Sequence, residues 1–337
     1  MKHFCIPLIL LTILSFVSSM ETINLSKLSM EEKVGQLLLV RPNELNEKYI
    51  SELHIGGIFL SKQTTKEEYI EYVNFYKNLT EIDLFMAADM EGYWNPFSEF
   101  YSSKNFGEIT SPQEAFELGK SHGIILKDMG FNLDFSPVVE VRNNVWPGRS
   151  FIGTDEEIQN KISSYIEGLH SQNIFATAKH YPGGNLVKNP HVIKFKVNAT
   201  KQEIEMFESA INSSVDLIMV GHPIIYGELD SNGKQATISK EIIEPLKEKF
   251  DGLVITDAVT MLGLRISYFF NFKKVYPDLI RAGNDIILDT HYSSGYKKIL
   301  KRRNEILKQA KTDEELRNQI DESCKKILEK KGYKVIE

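Results

Sequence analysis

Short apolar runs alternate with amphipathic stretches along nearly the whole chain, and that alternation predicts the architecture. Eight runs read as strands: Gln36–Val40, Gly57–Leu60, Leu84–Ala88, Leu133–Pro137, Ala176–Lys179, Leu217–Val220, Leu253–Thr256 and Asp285–Leu288. Each is short and rich in Val, Ile, Leu or Phe, as expected of a parallel strand covered on both faces. The stretches between them carry helix start and stop signals. Ser29-Met30-Glu31-Glu32 has the spacing of a capping box just before the first strand. Ser111 followed by Pro112 opens a helix that Gly130 can close. Thr200 with Glu203 opens another, and Thr312 with Glu315 opens the last, which runs to about Gly332.

Strands that alternate with helices pair in parallel through crossovers. Eight such units in 337 residues predict an α/β fold of the closed (β/α)8, TIM-barrel type. An open doubly wound sheet is the alternative. No strand is followed by G-x-G-x-x-G or by a P-loop, so nothing marks a nucleotide site. One domain from residue 20 to residue 337 is the simplest partition. Residues 1–19 are set apart as a leader: Lys2 and His3 precede the apolar run Phe4 to Val17, and Ser18-Ser19 offer small residues for cleavage. That pattern predicts export, to a periplasm or out of the cell. A start at Met20 would instead leave the protein in the cytoplasm.

The net charge of −6 and the absence of a long basic run leave no electrostatic footprint for nucleic acid. One of the two cysteines, Cys5, lies in the leader, so cleavage would leave Cys324 alone, in a helical stretch where it reads as filler. The histidines are scattered, with no metal-binding spacing, and there is no G-x-S-x-G elbow. No metal and no cofactor is implied.

In a barrel of this kind the chemistry sits where strands end and loops begin. The third strand ends in Asp89-Met90-Glu91-Gly92, and Gly148-Arg149-Ser150-Phe151 lies beyond the fourth. Lys179-His180 ends the fifth strand, His222 the sixth and Asp257 the seventh. Asp257 can attack an electrophilic carbon, orient a ligand or cap the next helix. Lys179 and His180 can hold sugar hydroxyls or an anion, or the lysine can pair with a carboxylate inside the barrel mouth. Asp89 can bind hydroxyls or cap its own turn, and His222 can contact a ligand or be a satisfied structural histidine. Gly183-Gly184 permits unusual backbone angles in a loop that carries His191, which is either delivered to the site or simply solvated.

Together these segments resemble glycoside hydrolase family 3, in particular its single-domain β-N-acetylglucosaminidases. The resemblance runs from Glu31-Glu32-Lys33-Val34-Gly35-Gln36 to Ala282-Gly283-Asn284-Asp285 and the last helix. Its most specific pieces are Asp89-Met90-Glu91-Gly92, Gly148-Arg149-Ser150-Phe151, Lys179-His180-Tyr181-Pro182-Gly183 and Val254-Ile255-Thr256-Asp257-Ala258. It implies that Asp257 is a nucleophile, that His191 is the acid/base, and that Asp89, Arg149, Lys179, His180 and His222 bind the sugar. The implied reaction is exo-acting, retaining hydrolysis of terminal β-linked N-acetylglucosamine from peptidoglycan fragments or chito-oligosaccharides. The implied partner is an amino-sugar oligosaccharide.

Three departures qualify the match. Asn189 stands where the family has the aspartate that partners the loop histidine; it can orient His191 but supplies no charge. The loop is one residue shorter, with Gly183-Gly184 in place of Gly-His-Gly. Tyr93-Trp94-Asn95 replaces a Gly-Arg-Val-like run and offers aromatic rings for stacking on a sugar. The alternatives are a β-glucosidase-like or phosphorolytic member of the same family, or a sugar-binding pseudoenzyme weakened by Asn189.

Overall fold

In the computed structural model, residues 20–60, 62–189, 193–269, 271–290 and 295–337 are described. Eight parallel strands form one sheet: Leu38–Val40, Gly57–Phe59, Phe85–Ala88, Leu133–Asp134, Phe175–Tyr181, Leu217–Val220, Leu253–Thr256 and Ile287–Asp289. Counting them from one to eight along the chain, their order in the sheet is 7-6-5-4-3-2-1-8. A parallel bridge between Ile255 and Ile286 joins the seventh strand to the eighth, so the sheet curls into the barrel that the alternation predicts.

The eight runs fall where the sequence puts them, with boundaries that move for local reasons. Gln36 is the last residue of the helix Met30–Gln36 rather than the first of a strand. The fourth ladder is only Leu133–Asp134; beyond Pro137, which has no N–H to give, a single bridge from Val138 to Lys179 continues the pairing. The fifth strand runs longer, to Tyr181.

The helix signals hold in the same way. Ser29 and Glu32 form a reciprocal capping box. Ser111 caps the helix Pro112–Asp128, and Gly130 closes it at φ 84°. The Thr200 side chain accepts from the Glu203 N–H at the start of Lys201–Asn212. The last helix is Glu314–Lys330, and its cap is Asp313, one residue beyond the expected Thr312, because the Asp313 carboxylate accepts from the Leu316 N–H. Cys324 is a buried, free thiol on that helix, pushed up to about 12 by burial.

Two small parallel pairs lie outside the barrel. Thr22–Asn24 pairs with Lys334–Ile336, which brings the two ends of the described chain together. Lys196–Ala199 pairs with Ile224–Gly227 beside the loop that leaves the fifth strand. These strands are three or four residues long and each has residues open to solvent, so the pattern that revealed the barrel strands does not reach them. No described helix is long and apolar enough to cross a membrane. The leader, residues 1–19, and His191 lie outside the described residues.

The seam between the seventh and eighth strands rests on one buried carboxylate. Asp285 accepts from the Val254 N–H at 2.9 Å, from Ser323 Oγ at 2.9 Å and from Lys247 Nζ at 3.1 Å. Asp285→Ala leaves a backbone N–H and a lysine without their acceptor where the barrel closes. Urea unfolding of that variant is expected to show a loss of about 3 kcal/mol; a loss below about 1 kcal/mol would mean the seam does not depend on this residue.

Candidate active site

Asp89 and Glu91 leave the third strand through a turn that their neighbours fix. The Met90 N–H donates to Asp134 Oδ1 at 2.9 Å, and Ser136 Oγ donates to the Met90 carbonyl at 2.8 Å. Behind them Tyr165 donates to Asp134 Oδ2 at 3.1 Å, and its hydroxyl lies 2.7 Å from His122 Nδ1. Burial pushes His122 down to about 3, so this support is uncharged on the histidine side. Gly92 has φ 74° and lies against the Lys104 carbonyl, where a Cβ would sit 2.2 Å from the oxygen. Only glycine turns the chain there, and that turn directs Glu91 inward.

Glu91 is fully buried and is the hub of an ion network. Arg149 binds it in bidentate fashion through Nε and Nη2, the latter 2.6 Å from Oε1. Lys179 Nζ is 2.5 Å from Glu91 Oε1 and 2.6 Å from Asp89 Oδ1. Burial alone would raise Glu91, but Arg149 and Lys179 outweigh it and hold the carboxyl well below the usual range. Burial likewise works against the charge on Lys179, and Asp89 and Glu91 overcome it. Asp89 goes the other way: burial and the adjacent Glu91 push it up to about 6 against the pull of Lys179.

A second buried carboxylate, Glu140, organises the far side. His180 Nδ1 is 2.8 Å from Glu140 Oε1; an ionised carboxylate only accepts, so Nδ1 carries the proton and Nε2 points elsewhere. His180 Nε2 lies 3.9 Å from Asp257 Oδ2. The other Glu140 oxygen accepts from the Asn185 N–H at 2.6 Å, which ties the first part of the loop to the barrel. Asn185 Nδ2 then donates to Asp257 Oδ2 at 3.3 Å, while the Ala258 N–H donates to Asp257 Oδ1 at 2.6 Å. The Asn185 amide fits because residue 221 is glycine: a Cβ there would meet it at 2.6 Å. Asp257 caps no helix, since the next one begins at Leu262 with Met261 as its cap.

A cavity of about 140 Å³ opens between these two halves, lined by Asp89, Arg149, Lys179, His180, Asn185 and Asp257 together with Phe59, Phe135 and Met261. It has room for on the order of ten water-sized positions, the scale of one sugar ring. Five of the residues singled out in the sequence therefore meet in one place. His222 does not line it. Its Nδ1 lies 2.9 Å from Thr237 Oγ1 and its Nε2 3.0 Å from the Ala258 carbonyl, so it stands behind the site and steadies the turn that bears Asp257. Of the residues singled out in the sequence, His222 is thus placed among structural contacts and not on the cavity wall. Asn189 is half-buried and does not line the cavity; whether it orients His191 falls outside the described residues together with that histidine.

Sequence reasoning missed Glu140, Asn185 and the hub role of Glu91. Glu140 follows Pro137-Val138-Val139, so extending the fourth strand through its last bridge would have exposed it as a strand-end residue. Asn185 lies in a loop with no periodic signal.

Residues 29–329 match the model of the glycosyl hydrolase family 3 N terminal domain. The chain belongs to this family. It is 23% identical over 309 residues to a beta-N-acetylglucosaminidase/beta-glucosidase of Cellulomonas fimi, covering 79% of this chain and 52% of that protein, so it spans about half of that relative. It is 24% identical over 292 residues to a beta-hexosaminidase of Haemophilus influenzae, covering 78% of this chain and 81% of that one. The crystal structure of a beta-N-acetylhexosaminidase from Beutenbergia cavernae superposes with a TM-score of 0.77 at 21% identity, over 90% of this chain and 99% of that one, which shows the shared fold. The chain is accordingly a glycoside hydrolase.

The raised Asp89 sets an acid limb. Above about 6 it is ionised and pairs with Lys179; below, it is neutral and loses an acceptor facing the cavity. Glycoside hydrolysis is expected to fall as pH drops through about 6, and Asp89→Asn to lower kcat/KM and erase that limb. A pH profile that stays flat down to about pH 5 would reject this role for Asp89.

Proposed function

We propose that this chain is a retaining β-N-acetylglucosaminidase, acting on peptidoglycan fragments or chito-oligosaccharides through a covalent glycosyl-enzyme. The observation that carries the reading is Asp257: a carboxylate held by two N–H donors at one end of a ring-sized cavity. The other end presents Asp89, Arg149 and Lys179 to sugar hydroxyls.

In the first step an Asp257 oxygen forms a bond to C1 as the bond from C1 to the leaving oxygen breaks. His191 gives its proton to that oxygen. In the second step water attacks C1, His191 takes the water proton, and the Asp257–C1 bond breaks, so two inversions give net retention. Fixing the nucleophile through Asn185 and the Ala258 N–H holds it in attacking geometry before substrate arrives. The amino-sugar preference is supported by the hexosaminidase relatives and by the loop position of His191. Members that use glucose commonly draw the acid/base from a second domain.

Aryl β-N-acetylglucosaminide, aryl β-glucoside and chitobiose, each with and without phosphate, separate this reading from its rivals. Preferential hydrolysis of the N-acetyl substrates is expected; preference for the glucoside, or turnover only with phosphate, would overturn it. Asp257→Asn is expected to abolish turnover of all of them, and a 2-fluoro sugar to label Asp257; a label on another side chain would remove Asp257 from the role. His191→Ala is expected to slow unactivated glycosides by about 10²–10⁴ and aryl glycosides with good leaving groups far less. Equal losses on both would reject His191 as the acid.

A further inference from the structure

The segment that follows Asp257 turns apolar side chains outward. Leu262–Arg265 and Ile266–Tyr268 form one continuous helical stretch, since Arg265, Ile266 and Phe269 all keep helical backbone angles. Its inner side holds Leu264, fully buried, and Tyr268, whose hydroxyl donates to Asp278 Oδ2 at 2.9 Å. Leu262, Ile266 and Phe269 recur at the spacing of a single helix face, on the other side. They are 42%, 47% and 80% exposed, and Phe269 is the most exposed large apolar side chain among the described residues. Three such neighbours on one face are more than the scattered apolar exposure that soluble proteins ordinarily show.

The charge beside this face has one sign. The chain carries −6 overall, yet residues 258–277 and 290–304 contain eight Lys and Arg and no Asp or Glu. The two segments adjoin. The helix Tyr296–Ala310 packs on Phe272–Lys274, and the centroid of the Phe272 ring lies 5.8 Å from the guanidinium carbon of Arg265 and 5.0 Å from that of Arg302. Lys194 adds an ammonium, 3.0 Å from Ser267 Oγ. Glu305 is engaged by Lys273 at 2.8 Å, and Asp278 by Tyr268 and Arg281. Arg265, Lys274, Lys297, Lys298 and Lys301 are exposed.

We propose that this face docks on an anionic lipid bilayer. An apolar row flanked by Lys and Arg is the pattern of a segment that lies in a membrane interface: the apolar side chains enter the acyl boundary and the cations meet headgroup phosphates. A second copy of the chain fits less well, because three side chains fall far short of the roughly 800 Å² per partner that a stable dimer buries. The attachment is peripheral and weakened by salt, since it rests on few apolar groups and on exposed charges. Met261, which precedes Leu262, lines the Asp257 cavity, so the docked face adjoins the barrel mouth. The inference is independent of which glycoside the site cleaves.

The test is binding of the full chain to phosphatidylcholine vesicles with and without phosphatidylglycerol, followed by co-sedimentation across lipid concentrations. The leader is common to every variant, so a difference between variants reports on this face. Tighter binding to the anionic vesicles is expected, with the preference shrinking as salt rises. Arg265→Gln and Lys274→Gln are each expected to lower that preference about fivefold. Ile266→Ser with Phe269→Ser is expected to lower affinity for the anionic vesicles about tenfold or more. Urea unfolding shows that the variants fold, because all four side chains are exposed and their replacement leaves the midpoint in place. Equal binding to both kinds of vesicle, or an anionic preference that survives Arg265→Gln and Lys274→Gln, would overturn the proposal. So would affinity unchanged by the Ile266 and Phe269 pair. Sedimentation velocity without lipid tests the rival occupant: a dimer that the Ile266 and Phe269 pair dissolves would assign the face to a second copy and overturn the bilayer, while a monomer in parent and variants alike supports it.

Discussion

The pairing of Glu91 with Arg149 and Lys179 is the constraint on which the barrel mouth depends. It joins the end of the third strand, the loop beyond the fourth and the end of the fifth. A fully buried carboxylate is tolerated only if its charge and its lone pairs are met, and breaking a buried pair by removing one partner costs about 3–5 kcal/mol. Glu91 meets this condition entirely within the protein. Asp89 and Arg149 are thereby left with faces on the cavity, and their positions are set before any ligand arrives. The network is neutral in sum, so the cavity is polar and preorganised without carrying a net field.

The same division of labour recurs across the cavity. Glu140 is buried and spends its oxygens on His180 and on the Asn185 N–H, while Asp257 lines the cavity. In each half a concealed carboxylate holds cations, imidazole or loop in place, and a second carboxylate lines the cavity. The consequence is that Asp257 is aimed by a chain of contacts: Glu140 fixes Asn185, Asn185 fixes one carboxylate oxygen, the Ala258 N–H fixes the other, and His222 steadies the Ala258 carbonyl.

The barrel was legible because a parallel strand covered by helices must be apolar on both faces, and eight such runs stand out from the amphipathic stretches between them. The rim was legible for a related reason: polar residues that end apolar runs, as Asp89, Lys179 and Asp257 do, have few other reasons to be there. What the pattern cannot carry is a side chain whose role lies in whom it touches. His222 ends a strand just as Lys179 does, yet Thr237 and the Ala258 carbonyl engage both of its nitrogens behind the site. Asn185 has no periodicity at all, and only its approach to Gly221 and Asp257 gives it meaning. Lys196–Ala199 and Ile224–Gly227 form a sheet that the pattern does not single out, because the strands are short and half of each faces solvent.

The loop that leaves the fifth strand starts from a fixed point. The Asn185 N–H is bound to Glu140, and the Leu186 carbonyl accepts from the Asn144 and Val145 N–H groups at 2.9 and 3.1 Å. Arg142, paired with Glu203 beneath Gly183, holds the turn that precedes them. The positive φ values of Gly183 and Gly184, 103° and 92°, therefore serve a sharp, anchored exit from the fifth strand.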